Sequence, residues 1–270
     1  MVTTAFHSGL LGDFPVLDAV RVIKDYGYDA AELNGEILPW AAPHVGPDTG
    51  RAVRQELAQL GPFAALSAHH ADFGSSDAAR NERSLEHTIG MLELASDLGI
   101  GVVHVIAGEG AAADPLRRSL HAALAVADRL AISLSLEPIV NRLIGTRRSA
   151  EDLLEDIPAL GLNFDPSHLQ VMDGDVVGAA RALATRVNHV HLKDASGSPN
   201  AFEFNQLGKG AVDFDGMLLE IFAAGFDGAI SIEHESHYFS TDTRPLNQVL
   251  EESRLFLEAL IERTTPPSRL

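Results

Sequence analysis

One phrase recurs along this chain: a helical stretch closed by glycine, followed by a short apolar run. YGYDAAEL, LGPFAALS, LGIGVVHV, LGLNFDPS and AGFDGAISIE are successive versions of it. Apolar runs this short, separated by longer helical patterns, are the signature of parallel strands joined by crossover helices. Strands are predicted near residues 3–7, 30–34, 63–69, 102–107, 132–137, 162–165, 187–193 and 229–235. Between them, helices are predicted over 16–26, 77–98, 115–130, 175–184, 214–224 and 247–263, with Gly27, Gly61, Gly99 and Gly225 placed as C-caps. A chain of 270 residues accommodates eight βα units of ~30 residues. The predicted fold is therefore an α/β (β/α)₈ TIM barrel, with one catalytic domain over 1–263 and a flexible tail, TTPPSRL, over 264–270. A doubly wound open sheet is the alternative, but the first βα turn lacks a glycine-rich phosphate fingerprint.

Charge narrows the partners. The chain carries 38 acidic and 20 basic side chains, a formal net charge of −18. That field repels phosphate backbones and anionic lipid, so neither nucleic acid nor a membrane is expected as a partner. There is no cysteine, which removes disulfides, thiolate nucleophiles and zinc–thiolate sites. The opening MVTTAFHSGLLGDFP has no basic segment leading into a long apolar run, and nothing later reaches the ~18 apolar residues of a membrane span, so a cytoplasmic location is expected. Barrels of this size often associate, and a homo-oligomer is among the expected states.

Side-chain parity on the late strands points to chemistry. Ser133, Ser135 and Glu137 share one face of the fifth strand, Asn163 and Asp165 one face of the sixth, His189, His191 and Lys193 one face of the seventh, and Ser231 and Glu233 one face of the eighth. With the apolar faces packed on helices, these polar faces line the barrel, and their last members stand at the C-terminal mouth, where barrel active sites are built. Glu137, Asp165, His191 and Glu233 would then converge. Burying so many like charges costs several kcal/mol per ion, roughly, unless a cation compensates them. A single divalent metal is expected, and the oxygen-rich ligand set makes Mn²⁺ the first choice, with Mg²⁺, Co²⁺ and Zn²⁺ as alternatives. The competing reading of each residue alone is a helix cap or a surface ion pair.

Five further residues are candidates for substrate contact. His168, three positions after Asp165, can lean over the same mouth or sit on the surface. Lys193 can steady a developing oxyanion or pair with Asp194. Glu32 and His69 share the inward parity of the small residues Ala30, Ala65 and Ser67, whereas His104 reads as a core histidine. Trp40, in the loop GEILPWAAPH, can stack on a sugar ring or simply pin its loop.

SLEP with Glu137, NFDPSHL with Asp165 and His168, HVHLKD with His191, QLGKGAVDF, and GFDGAISIEHE with Glu233 occur in an order that resembles the sugar phosphate isomerase/epimerase family of xylose isomerase-like TIM barrels. The resemblance covers nearly the whole chain and is strongest from residue 132 onward. It implies that Glu137, Asp165, His191 and Glu233 hold one divalent metal, that Glu137 and Glu233 are also the catalytic acid and base, and that His168 faces the substrate. The sequence departs from ketohexose 3-epimerases at Leu143, where they carry an acid, and at ASGSPN, where they carry an arginine. It departs from endonuclease IV at Phe202 and Phe204, in place of extra metal ligands. The expected activity is proton transfer through an enediolate on a ketose- or inosose-like small molecule, catalysed by an isomerase or epimerase. A lyase or dehydratase using the same enediolate is the alternative; a noncatalytic metal- and sugar-binding barrel and an endonuclease IV-like enzyme rank below it.

Overall fold

Alternation of small polar and branched apolar residues dictates how the strands close. A computed structural model describes residues 2–235, 237–239 and 242–265. Its strands are β1 (Thr3–His7), β2 (Ala30–Asn34), β3 (Phe63–Ser67), β4 (Val102–Ile106), β5 (Ser133–Glu137), β6 (Gly161–Phe164), β7 (Val187–Leu192), β8 (Asp194–Ser198), β9 (Ala201–Asn205) and β10 (Ala229–Ile232). All but β8 and β9 form a closed parallel barrel in the order β1, β10, β7, β6, β5, β4, β3, β2. The helices are α1 (Val16–Asp25), α2 (Arg51–Leu60), α3 (Ala78–Leu98), α4 (Ala113–Arg129), α5 (Arg147–Asp156), α6 (Pro166–Asp173), α7 (Val176–Leu183), α8 (Phe214–Ala223) and α9 (Leu246–Thr264). None of the helices among the described residues is long and apolar enough to cross a membrane.

The outward strand residues Leu33, Leu66, Val103, Leu134, Leu136, Phe164, Val190 and Ile230 are fully buried against the helix ring. Each helix contributes one stripe to that layer; in α4 it is Leu116, Leu120, Ala123 and Ala127. On β5, β6 and β10 the inward positions run from small residues to a carboxylate at or just past the C-terminal end. Ala5, Ser231 and His191 stand level across β1, β10 and β7, and Ser135 is level with Gly161. A Cβ at Gly161 would run into the side chains of Asn188 and Ser135, which would have to shift to admit it. Small side chains fill the N-terminal layer, leaving the C-terminal layer to carboxylates and imidazoles.

Several boundaries differ from the sequence reading. Expected strands 63–69 and 229–235 end at Ser67 and Ile232, because the chain turns into the mouth loops there; one further rung, from the Glu233 amide to the Leu192 carbonyl at 3.3 Å, follows the last residue of β10. Asp165 is the N-cap of α6, with Pro166 at the first helical position, and so lies just past β6. Helices α2 and α5 are 10 residues long and polar, and α6 is only 8 residues long, which hid them in the sequence. Gly27, Gly99 and Gly225 adopt positive φ after their helices, but Gly61 does not: its φ is −56° and the chain continues extended into Pro62. The stretch after β7 forms an antiparallel hairpin, β8–β9, that lays Phe202 and Phe204 beside the mouth. Of the tail expected over 264–270, Thr264 ends α9, and residues 266–270 lie outside the described residues.

Candidate metal centre and active site

The C-terminal ends of β5, β6, β7 and β10 bring Glu137, Asp165, His191 and Glu233 together, with one ligand atom from each lying within 4.8 Å of the others. All four are buried. His191 Nδ1 lies 3.3 Å from Glu137 Oε2 and 3.5 Å from Glu233 Oε2, and it has no hydrogen-bond partner. The fold also anchors these ligands. Asp165 spends Oδ1 on the Ser167 amide at 2.8 Å and the Ser167 hydroxyl at 2.6 Å, which leaves Oδ2 facing the cluster. Asn163 donates to Glu137 Oε2 at 2.6 Å. Three carboxylates and an imidazole nitrogen without a hydrogen-bond partner, directed at one point, fit a hard or borderline divalent cation.

Lys193, expected to pair with Asp194 if it had no site role, instead enters the cluster. Its ammonium is 3.0 Å from Asp165 Oδ2 and 2.9 Å from Glu235 Oε2, and it also donates to Glu233. His168 is buried as well, not on the surface. Its Nε2 is 3.5 Å from Asp165 Oδ2 and 3.7 Å from Glu137 Oε1, and its ring meets Phe204 edge-on. These neighbours push the glutamates apart electrostatically. Burial drives Glu137 up to about 8, with Glu233 and Asp165 adding repulsion and His191 and His69 opposing it. Burial also works against ionised Glu233, but Lys193 and His191 outweigh it and hold that carboxyl well below its ordinary range. Burial, then the nearby Lys193 charge, drives His168 down to about 3.

Two cavities open above the cluster. One, of ≈ 180 Å³, is walled by residues including His7, Asn34, Glu36, Glu233 and Glu235. The other, of ≈ 260 Å³, is walled by residues including His69, Glu137, Asn141, Arg142, His168 and Lys193. Trp40 belongs to both walls, 40% exposed, with its ring 5.1 Å from that of His237. His69 lines the second cavity, with Nδ1 3.1 Å from Glu36 Oε1 and Nε2 2.9 Å from His104 Nδ1. Glu32 is the exception among the expected substrate contacts. It is fully buried below the ligands, bonded to His104, His189 and His191, and forms no part of either wall. The small neighbours that suggested a pocket reflect its depth in the barrel.

Sequence reasoning overlooked Glu36 and Glu235. Both continue the inward parity of their strands, Glu32 to Asn34 to Glu36 and Ser231 to Glu233 to Glu235, and following it beyond the strand ends would have found them. Glu36 accepts from the Ser67 hydroxyl at 2.7 Å. Asn163 and His189 also lay on faces already identified as polar.

Comparison with known proteins places these features in a family. The chain is 32% identical over 134 residues to a ketose 3-epimerase of Arthrobacter globiformis, covering 46% of this chain and 44% of that protein. It is 29% identical over 245 residues to a 3-dehydroshikimate dehydratase of Pseudomonas aeruginosa, covering 83% of this chain but 36% of that one. The chain thus spans less than half the length of these two curated relatives. Among solved structures, a D-tagatose 3-epimerase-like protein superposes with a TM-score of 0.79 at 20% identity, covering 97% of this chain and 98% of the other. A zinc-bound IOLI protein superposes with 0.77 at 16%, covering 97% and 99%. The family model for xylose isomerase-like TIM barrels matches residues 20–260, and with the closed eight-stranded barrel this establishes that the chain belongs to the xylose isomerase-like TIM barrel family.

Proposed function

We propose that this chain is a divalent-metal-dependent enzyme that moves a proton on a hydroxycarbonyl substrate of the ketose or inosose class, as an epimerase or isomerase. The observation that carries the reading is the placement of two glutamates, Glu137 and Glu233, beside His191 Nδ1 at 3.3 and 3.5 Å. Glu137, Asp165, His191 and Glu233 would hold the ion. When bound there, a divalent cation supplies Lewis-acid stabilisation of the negative charge that develops on two adjacent substrate oxygens as a carbon-bound proton leaves. One glutamate takes that proton and the other returns one. Return to the same carbon from the opposite face gives an epimer, and return to the neighbouring carbon gives an isomer. Lys193 and His168 contact the substrate oxygens from the wall, and Trp40 covers the ring.

The cations on the second cavity wall are already committed, Lys193 to Asp165, Glu233 and Glu235, and Arg142 to Glu109 at 2.8 Å. This favours an uncharged, hydroxyl-rich substrate over a phosphorylated one. Similarity to the dehydratase over 83% of the chain supports a second reading, in which the same proton abstraction expels a β-hydroxyl and the protein is a lyase. Assaying the purified chain against ketoses, inososes and 3-keto-glycosides, with Mn²⁺ or with EDTA, separates the two, since elimination yields a conjugated product and epimerisation leaves the formula unchanged. Near-normal turnover in both Glu137→Gln and Glu233→Gln variants that retain metal would refute the acid/base pair.

A further inference from the structure

Below the cavity floor the barrel axis holds a second polar layer. Glu32 is fully buried there. Its Oε1 faces His104 Nε2 at 2.6 Å and His191 Nε2 at 2.9 Å, and its Oε2 faces His189 Nε2 at 2.9 Å. A carboxylate has no hydrogen to give, so each of these contacts requires an Nε2–H donor. The consequence for His189 stays in the core, and for His104 it extends through Nδ1 to His69 on the cavity wall, 2.9 Å away. For His191 it reaches the active site, because the opposite edge of the same ring, Nδ1, points at Glu137 and Glu233.

We propose that Glu32 is a positioning residue: by holding the hydrogen of His191 on Nε2, it reserves Nδ1 as the nitrogen that meets the divalent ion. The proposal rests on the metal-centre reading above. Its physical content is a competition. Glu137 and Glu233 are strong acceptors beside Nδ1, and a neutral imidazole left to itself would turn its only N–H toward them, satisfying the cluster internally and closing it to a cation. Glu32 offers an equally strong acceptor at the other edge, in a fully buried site, and so secures the tautomer that binds metal. Orienting carboxylates of this kind typically contribute 10- to 100-fold to metal affinity. His104 and His189 complete the arrangement by also donating to Glu32, so that both oxygens of the buried charge are hydrogen-bonded.

The test uses the full chain with ¹⁵N-labelled histidine and Zn²⁺ alone as the diamagnetic probe. In the Zn²⁺-loaded wild type, long-range ¹H–¹⁵N correlation should show His191 protonated on Nε2 and ligating through Nδ1. Glu32→Gln keeps the volume and one acceptor oxygen. Its uncharged amide oxygen is a weaker acceptor than a carboxylate and so competes less well with Glu137 and Glu233 for the His191 hydrogen. Its amide hydrogens can face His189, whose Nδ1 has no partner and can take up that ring's hydrogen. That variant should fold in EDTA and bind Zn²⁺ about 10- to 100-fold more weakly. Ligation through Nε2 in the wild type, a measurement that needs no variant, would overturn the proposal, as would unchanged Zn²⁺ affinity in Glu32→Gln. If the wild type bound no Zn²⁺ at all, the metal centre itself would be refuted, and the role of Glu32 with it.

Discussion

Removing a catalytic charge should make the metal-free protein more stable. Glu137 lies in a buried site beside two other carboxylates and titrates near 8, against 4.5 for an ordinary glutamate. Because its folded value is raised, it folds without penalty below the unfolded value and loses that advantage as pH climbs through the folded one. Linkage puts the cost at about 1 kcal/mol at pH ~5.5, about 3 kcal/mol at pH ~7 and a plateau of about 5 kcal/mol above pH ~8. Glu137→Gln removes the titration and keeps an oxygen to accept from Asn163. In EDTA the variant should melt about 5 °C above wild type at neutral pH, given an unfolding entropy typical of a chain this long. The gap should widen with pH and then level off, while turnover is lost. Matched thermal melts from pH 5 to 9 decide the matter. A variant no more stable than wild type at pH 8, or a gap that ignores pH, would refute the electrostatic account of the cluster.

Other perturbations probe the neighbouring groups. Lys193→Met leaves Asp165, Glu233 and Glu235 without their ammonium, and urea denaturation in EDTA should record a loss of about 3–5 kcal/mol; a loss under 1 kcal/mol, roughly the worth of an exposed pair, would mean that the contacts carry little. His168 is held neutral by burial and by Lys193, with a folded value near 3, so its stabilisation is complete above the ordinary 6.5 and disappears as pH falls toward 3. His168→Asn should therefore flatten the stability profile between pH 6 and 4 by about 1.4 kcal/mol per pH unit, and parallel profiles for variant and wild type would contradict this. Trp40→Ala should raise KM several-fold with kcat within twofold; a fall in kcat alone would assign the ring to the chemical step instead.

What the sequence made legible follows from what repeats in it. Period-two alternation along Ser133 to Glu137 and His189 to Lys193 marks both the strand and its inward face, so the barrel and the convergence of Glu137, Asp165, His191 and Glu233 could be read residue by residue. Depth along the barrel axis leaves no such mark. Glu32 and Glu36 share parity, yet one lies beneath the ligands and the other lines a cavity, because rank along a strand becomes height only once the register between strands is fixed. The pairing of Lys193 was equally hidden. Asp194 follows it in the chain, but successive residues at a strand end point to opposite sides, and Asp194 instead accepts from the amides of Gly210 and Val212 at the base of the hairpin. Local proximity in sequence was the wrong guide there, and strand parity was the right one.

The same geometry explains how the chain tolerates a cluster that opposes its own folding. Every proposed ligand has one anchor in the surrounding fold. Asp165 caps α6 through Oδ1, Glu137 accepts from Asn163, His191 meets Glu32 through Nε2, and the amide of Glu233 adds a rung onto Leu192. These anchors belong to the barrel and its caps, so the surrounding apolar layer bears the electrostatic cost of keeping the carboxylates close. Ligands held in this way need little rearrangement when a cation arrives, and the repulsion stored among them becomes favourable interaction with it. A catalytic glutamate in such a site is therefore most costly to the metal-free fold at the position where it is most useful to the reaction, which is why the stability of Glu137→Gln in EDTA and its turnover should move in opposite directions.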